Sequence, residues 1–150
     1  MQVVIDSSIL VGLLNPTDRW HEAASRLRHA LLDEDNELFY FDCVVAEAAS
    51  AAIRRLYEKR REQDVKLLLQ RLNEYATVNT ITWVLPDVPR LYPEIIGLMR
   101  SSGGQLNFHD ALIALACRER HIPAIASLDA DFDQIAWLRR LATPDDLSLA

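Results

Sequence analysis

The chain has 150 residues, half of them hydrophobic and a quarter charged, with a formal net charge of −6 at pH 7. That length and balance predict one globular domain over residues 1–150 that folds without a disulfide or structural metal, and they exclude disordered, collagen-like and disulfide-scaffold classes. The negative charge disfavours nonspecific nucleic-acid binding, but it does not exclude a nuclease whose site is itself acidic.

From the amino terminus, Gln2 to Ile5 reads as a buried strand, being β-branched and apolar. Ser7 or Ser8 is placed to cap a short helix over Ile9 to Leu14, which Asn15-Pro16 breaks. Asp18 is placed to cap a helix from Trp20 to about Leu32, with Ala23, Ala24, Leu27 and Leu31 on one stripe. Leu38 to Phe41 is the second strand, and Asp42 precedes a helix to about Tyr57. A turn near Lys59 leads into another helix ending near Ala76, and Arg54 to Tyr75 is the expected protrusion because it adds helix without a matching strand. Thr80 to Leu85 is the third strand, and Asp87 caps a helix through Met99. Asn107 caps the next helix, through about Glu119. Pro123 to Ala126 is the fourth strand, a short helix follows near Phe132 to Trp137, and Arg140 to Ala142 is a last edge strand. Strands alternating with helices predict an α/β three-layer sandwich with a mostly parallel central sheet flanked by helices.

Cys43 and Cys117 form no C-x-x-C pair and are expected to be reduced thiols packed as small hydrophobes. The opening Met1-Gln2-Val3-Val4-Ile5-Asp6 has no basic stretch before its acid, and no apolar run reaches the roughly 18 residues of a membrane span, so a cytoplasmic protein is expected.

Four acids stand where local structure does not require them. Asp6 immediately follows the first strand, although Ser7 and Ser8 are available as caps. Glu47 lies in Val44-Val45-Ala46-Glu47-Ala48-Ala49 with no Lys or Arg three or four positions away. Asp110 opens Asp110-Ala111-Leu112-Ile113-Ala114, a helix apolar nearly all round, and Asp129 lies just past the fourth strand. Each has an ordinary alternative: a helix cap for Asp6, a rim position for Glu47, a favourable place at a helix start for Asp110, a turn for Asp129. In a parallel sheet the loops that follow strands emerge on one edge, so the four can meet. Four carboxylates together repel unless a cation sits among them, and oxygen-only ligands select a hard ion such as Mg²⁺, Mn²⁺ or Ca²⁺. The scattered histidines and cysteines show no zinc-ligand spacing.

At these residues the sequence resembles the PIN-domain nucleases, and within them the VapC-type toxins of toxin–antitoxin pairs. The matching stretches are Val4-Ile5-Asp6-Ser7-Ser8-Ile9-Leu10, Val45-Ala46-Glu47, Phe108-His109-Asp110-Ala111-Leu112-Ile113-Ala114 and Ser127-Leu128-Asp129-Ala130-Asp131-Phe132. The resemblance implies Asp6, Glu47, Asp110 and Asp129 as the acidic set, Ser127 as a small hydroxyl lining the site, and Asp131 as a supporting residue. It also implies a homodimer, a cognate antitoxin and a structured RNA substrate such as tRNA. Asp42 departs from the family's more usual Ser, Thr or Pro before the Glu helix, and the basic segment after Arg54 is longer than in the smallest toxins.

Such a set suits phosphodiester hydrolysis with Mg²⁺ or Mn²⁺. Asp6 and Asp110 are assigned as principal ligands, with Glu47 and Asp129 holding a second ion or orienting water. Seven basic residues between Arg54 and Arg71 form either a solvated ion-paired helix face or a ridge touching RNA phosphates, with Arg55, Arg60 and Arg61 as candidate contacts. A protein inhibitor is expected to insert a cation among the acids and to lay an apolar helix between Leu10 to Leu14 and Ala23 to Leu31. The alternatives are a PIN-like nuclease acting in RNA processing or on DNA outside a toxin pair, or an interaction module with a decayed site. An aspartyl phosphatase would want Asp where Ser8 stands.

Overall fold

The computed structural model describes residues 1–149. Five strands, β1 (Gln2–Ile5), β2 (Glu37–Phe41), β3 (Ile81–Thr82), β4 (Ala124–Ala126) and β5 (Arg139–Leu141), form one sheet in the order β3-β2-β1-β4-β5. Every neighbouring pair is parallel. Val3, Val4 and Ile5 on β1, and all three residues of β4, are fully buried, as central strands covered on both faces must be. The two edge strands are the short or half-buried ones, which limits unwanted edge pairing.

Six α-helices join them: α1 (Ser7–Leu14), α2 (His21–Asp33), α3 (Asp42–Glu58), α4 (Val65–Tyr75), α5 (Val88–Ser101) and α6 (Phe108–Glu119). α1 packs on α2, α3 and α4, while α5 packs on α6. The chain steps one way from β1 to β3 and then back to β4, so right-handed crossovers put these two packs on opposite faces of the sheet. The predicted three-layer α/β architecture is therefore present. The apolar length of α6, Ala111 to Cys117, is buried throughout. No helix among the described residues is long and apolar enough to cross a membrane. Both cysteines are free and buried, and burial pushes each thiol up to about 12.

Several local expectations change. β3 is only Ile81–Thr82, because Thr77 to Thr80 close a turn before it and Pro86 sits in a 3-10 turn after it. Asp87 does not cap α5; its carboxylate is taken by Arg90 and Arg120. The short helix expected near Phe132 to Trp137 is instead a 3-10 turn over Ala130–Gln134. The basic segment is docked rather than protruding: Leu68 is buried and Arg71 donates to the Leu14 carbonyl. The groove expected between α1 and α2 is closed, since Leu10 to Leu14, Ala24, Leu27 and Leu31 are all core residues. A hollow of about 140 Å³ opens instead between the end of α1 and α4, floored by Leu14, Leu56 and Leu68.

Candidate active site

β1 and β4 end side by side at the carboxyl edge of the sheet, with Ile5 opposite Ala126. The ladder continues one residue further, where the Asp6 N–H donates to the Ala126 carbonyl at 3.0 Å. The following side chains meet there: Ser127 Oγ and Ser8 Oγ each donate to Asp6 Oδ2 at 2.7 Å. These hydroxyls also anchor the loop after β4, for Ser8 Oγ accepts the Leu128 N–H and Ser127 Oγ accepts the Asp129 N–H, both at 3.0 Å. Asp6 itself is the N-cap of α1, accepting the Ser8 N–H at 3.3 Å, so the capping expected of Ser7 or Ser8 falls to the acid. Among the described residues, Oδ1 of Asp6 accepts no hydrogen bond, although the residue is only 4% exposed.

Asp110 is the third residue of α6 and 7% exposed. It completes a capping box: Asn107 Oδ1 accepts the Asp110 N–H, and Asp110 Oδ2 accepts the Asn107 N–H at 2.9 Å. Its Oδ1 is likewise without a protein donor among the described residues. Burial pushes its pKa up to about 6, against the Asn107 hydrogen bond that lowers it, and the charges of Asp6, Asp129 and Glu47 push the same way as burial. The charges of all three other acids thus reach Asp110.

Glu47, in the second turn of α3, is half-buried, with His109 Nδ1 3.4 Å from its Oε2. Asp129 is exposed and caps the following 3-10 turn, its Oδ1 accepting the Asp131 N–H at 2.9 Å. Asp131 contributes its backbone to that turn and also accepts from Gln134 through its carbonyl. Behind the loop, Arg140 ties the Ser127 carbonyl to Asp133.

As the side chains stand, no three acid, imidazole or thiol groups among the described residues form a ready-made ion cage. The donors nevertheless suit a hard divalent cation. Two buried carboxylates each present an oxygen without a protein donor among the described residues, every donor is oxygen, and a bound cation offsets both the burial and the neighbouring charges that raise the Asp110 pKa.

Two hollows flank the acids. One, of about 430 Å³, lies between Glu47, Ser50, Arg54 and His109; the other, of about 300 Å³, between Ser8, Trp20, Arg55 and Leu128 to Ala130. Of the candidate RNA contacts, Arg55 is paired with buried Asp18 at 2.6 Å and Arg61 with Asp64 at 2.6 Å, while Arg60 is exposed. Arg54, named only as part of the basic segment and not among the candidate contacts, lies seven residues after Glu47 and so on the same face of α3, a spacing that signalled it. Sequence reasoning also took Ser8 only as a cap. Asp42, the noted departure, is a buried latch: Oδ1 accepts the Val84 N–H at 2.9 Å and the Leu85 N–H at 3.2 Å, tying α3 to the end of β3.

The family model described as PIN domain matches residues 3–138, and the chain belongs to that family. Among solved structures it is similar to VapC20 of Mycobacterium tuberculosis, described as a sarcin–ricin loop cleaving toxin. The two share a TM-score of 0.67 and 19% identity over 90% of this chain and 95% of the other, a likeness of fold. No curated protein matches the sequence.

Proposed function

We propose that the protein is a divalent-metal-dependent endoribonuclease, the toxin of a toxin–antitoxin pair, working in the cytoplasm. The observation that carries this reading is the meeting of two buried carboxylates, Asp6 and Asp110, at the carboxyl edge of a PIN-domain sheet, with burial first and then the charges of Asp6, Asp129 and Glu47 raising the Asp110 pKa. Asp6 and Asp110 would hold Mg²⁺ or Mn²⁺ through their free oxygens, with Glu47 and Asp129 at the rim. Such an ion supplies charge neutralisation at a phosphate and a more acidic water. The chain's own contribution is orientation. Ser8 and Ser127 fix the rotamer of Asp6, the capping box fixes Asp110, and His109 steadies Glu47.

Arg54 stands beside Glu47 with no acid partner among the described residues, and supplies a cation for the RNA backbone. The substrate is proposed to be structured RNA. The loop named for VapC20 is the first to test and tRNA the second. The inhibitor is proposed to be an antitoxin whose Arg or Lys enters the acidic mouth and excludes the metal.

The test is cleavage of total RNA with Mg²⁺ or Mn²⁺, with EDTA, and with Asp6→Asn and Asp110→Asn, followed by mapping of the ends. Discrete cuts that need both metal and the two acids are expected. Undiminished cutting by both variants in EDTA would refute the reading.

A further inference from the structure

One buried carboxylate holds both walls of the hollow beside Asp129. Asp18 has a side chain only 3% exposed. Its Oδ1 accepts the Trp20 N–H at 3.0 Å, and its Oδ2 accepts from Arg55 Nη1 at 2.6 Å. The Trp20 backbone is thereby fixed just before α2; the residue is 40% exposed, and the Arg19 guanidinium lies 4.9 Å from its ring centre. Arg55 is fixed on α3 with the rest of its fork unpaired among the described residues. Between them lies the hollow of about 300 Å³ whose remaining wall is Ser8, Leu128, Asp129 and Ala130. Ser8 touches Asp6 directly, so this hollow adjoins the acids themselves.

A turn residue alone would not need this arrangement. A half-exposed indole, a guanidinium with free donors, and Leu128 and Ala130 beside the Asp129 carboxylate are parts that can receive an unstacked nucleobase: a ring to stack on and a donor for its edge. We infer that the hollow bounded by Trp20 and Arg55 is a subsite for one splayed-out RNA base next to the scissile phosphate, with Asp18 as its positioning residue. The inference rests on the ribonuclease reading and adds to it a requirement on the substrate. The cleaved nucleotide is then expected in a loop, bulge or single strand, because a base in an A-form helix must first be unpaired and unstacked to enter.

The experiment uses the full chain with Mn²⁺ and an RNA oligonucleotide cut at a mapped bond, compared with the same oligonucleotide made abasic at each position next to that bond. Cutting of the intact oligonucleotide by the wild type reports on the ribonuclease reading alone. If there is none, that reading and this inference both fall. Given cutting, Trp20→Ala is expected to lower kcat/KM roughly 5- to 100-fold, mainly through KM, while Trp20→Phe stays near wild type. One abasic position should cost the wild type a similar factor and cost Trp20→Ala almost nothing further. Penalties that multiply, or a Trp20→Ala protein that cuts the same bond with unchanged kcat/KM, overturn the base subsite and leave the nuclease standing.

Discussion

Asp110 divides its two oxygens between two tasks: Oδ2 closes the capping box with Asn107, and Oδ1 is left for a ligand. Its raised pKa fixes a pH signature. The folded protein holds this proton more tightly than the unfolded chain, so stability falls as pH rises from 3.8 to about 6 and is level above that. Asp110→Asn cannot ionise yet keeps a carbonyl for the Asn107 N–H. At pH 7, without metal, it should unfold at higher denaturant, by roughly 1–3 kcal/mol, and the gain should vanish below about pH 4. Added Mg²⁺ should stabilise the wild type and not this variant. A variant no more stable than wild type at pH 7 would mean that Asp110 is not strained by its neighbours. Ser127→Ala removes one of the two hydroxyl donors to Asp6 and strands the Asp129 N–H. It should weaken metal binding by about 10- to 100-fold in isothermal titration while leaving the sheet intact.

Among the elements, α1 approaches α2 at Gly12. A Cβ there would stand 3.0 Å from the Ala24 Cβ and 3.2 Å from the Trp20 carbonyl oxygen, so backbone must shift. Gly12→Ala should cost on the order of 1–3 kcal/mol in thermal or denaturant unfolding, and a neutral result would show that the pair has slack. Periodicity located α2, α3, α4 and α5 because each buries one stripe, and continuous apolar runs located α1 and α6. Both identified the helices' first residues less well. Asp18 stands where a cap is expected for α2, but α2 begins at His21, and the Asp18 carboxylate is committed to the Trp20 N–H and to Arg55, 37 positions away in sequence. Asp87 looks equally like a cap and is drawn off by Arg120 from α6. A cap competes with distant cations, and no local window contains them. β3 shrank for a related reason: the Val84 and Leu85 N–H groups bond to the Asp42 carboxylate instead of to a strand.

At the scale of the molecule, the four acids were legible because each lies beyond a strand or on a helix facing the carboxyl edge, and the all-parallel order brings those places together. The flanking cations were not, since which arginines are free depends on tertiary pairing. Arg55 and Arg61 are engaged, whereas Arg54, Lys59 and Arg60 are exposed and have no acid partner among the described residues. Replacing those three with Gln should weaken RNA binding and flatten its salt dependence by about one to three in the logarithmic slope. An unchanged slope would mark the segment as a solvated face. Self-association remains the proposal suggested by the family. Trp83, Leu85 and Tyr92 keep 55, 41 and 52% of their surface exposed near β3 and α5, and Trp83→Asp should shift a micromolar sample towards the 17.1 kDa monomer in sedimentation. A wild type already sedimenting as monomer would end that proposal.

The pairing of Val3 with Ala124 also governs when the site comes into being during synthesis. β1 is made first, but its partner β4, both hydroxyls' loop contacts and Asp129 arrive more than a hundred residues later. A growing chain that has passed α3 already carries Asp6 and Glu47, yet Asp6 still lacks the Ser127 hydroxyl that orients it. The carboxyl edge that holds the acids is thereby incomplete until β4 and the loop after it have been made.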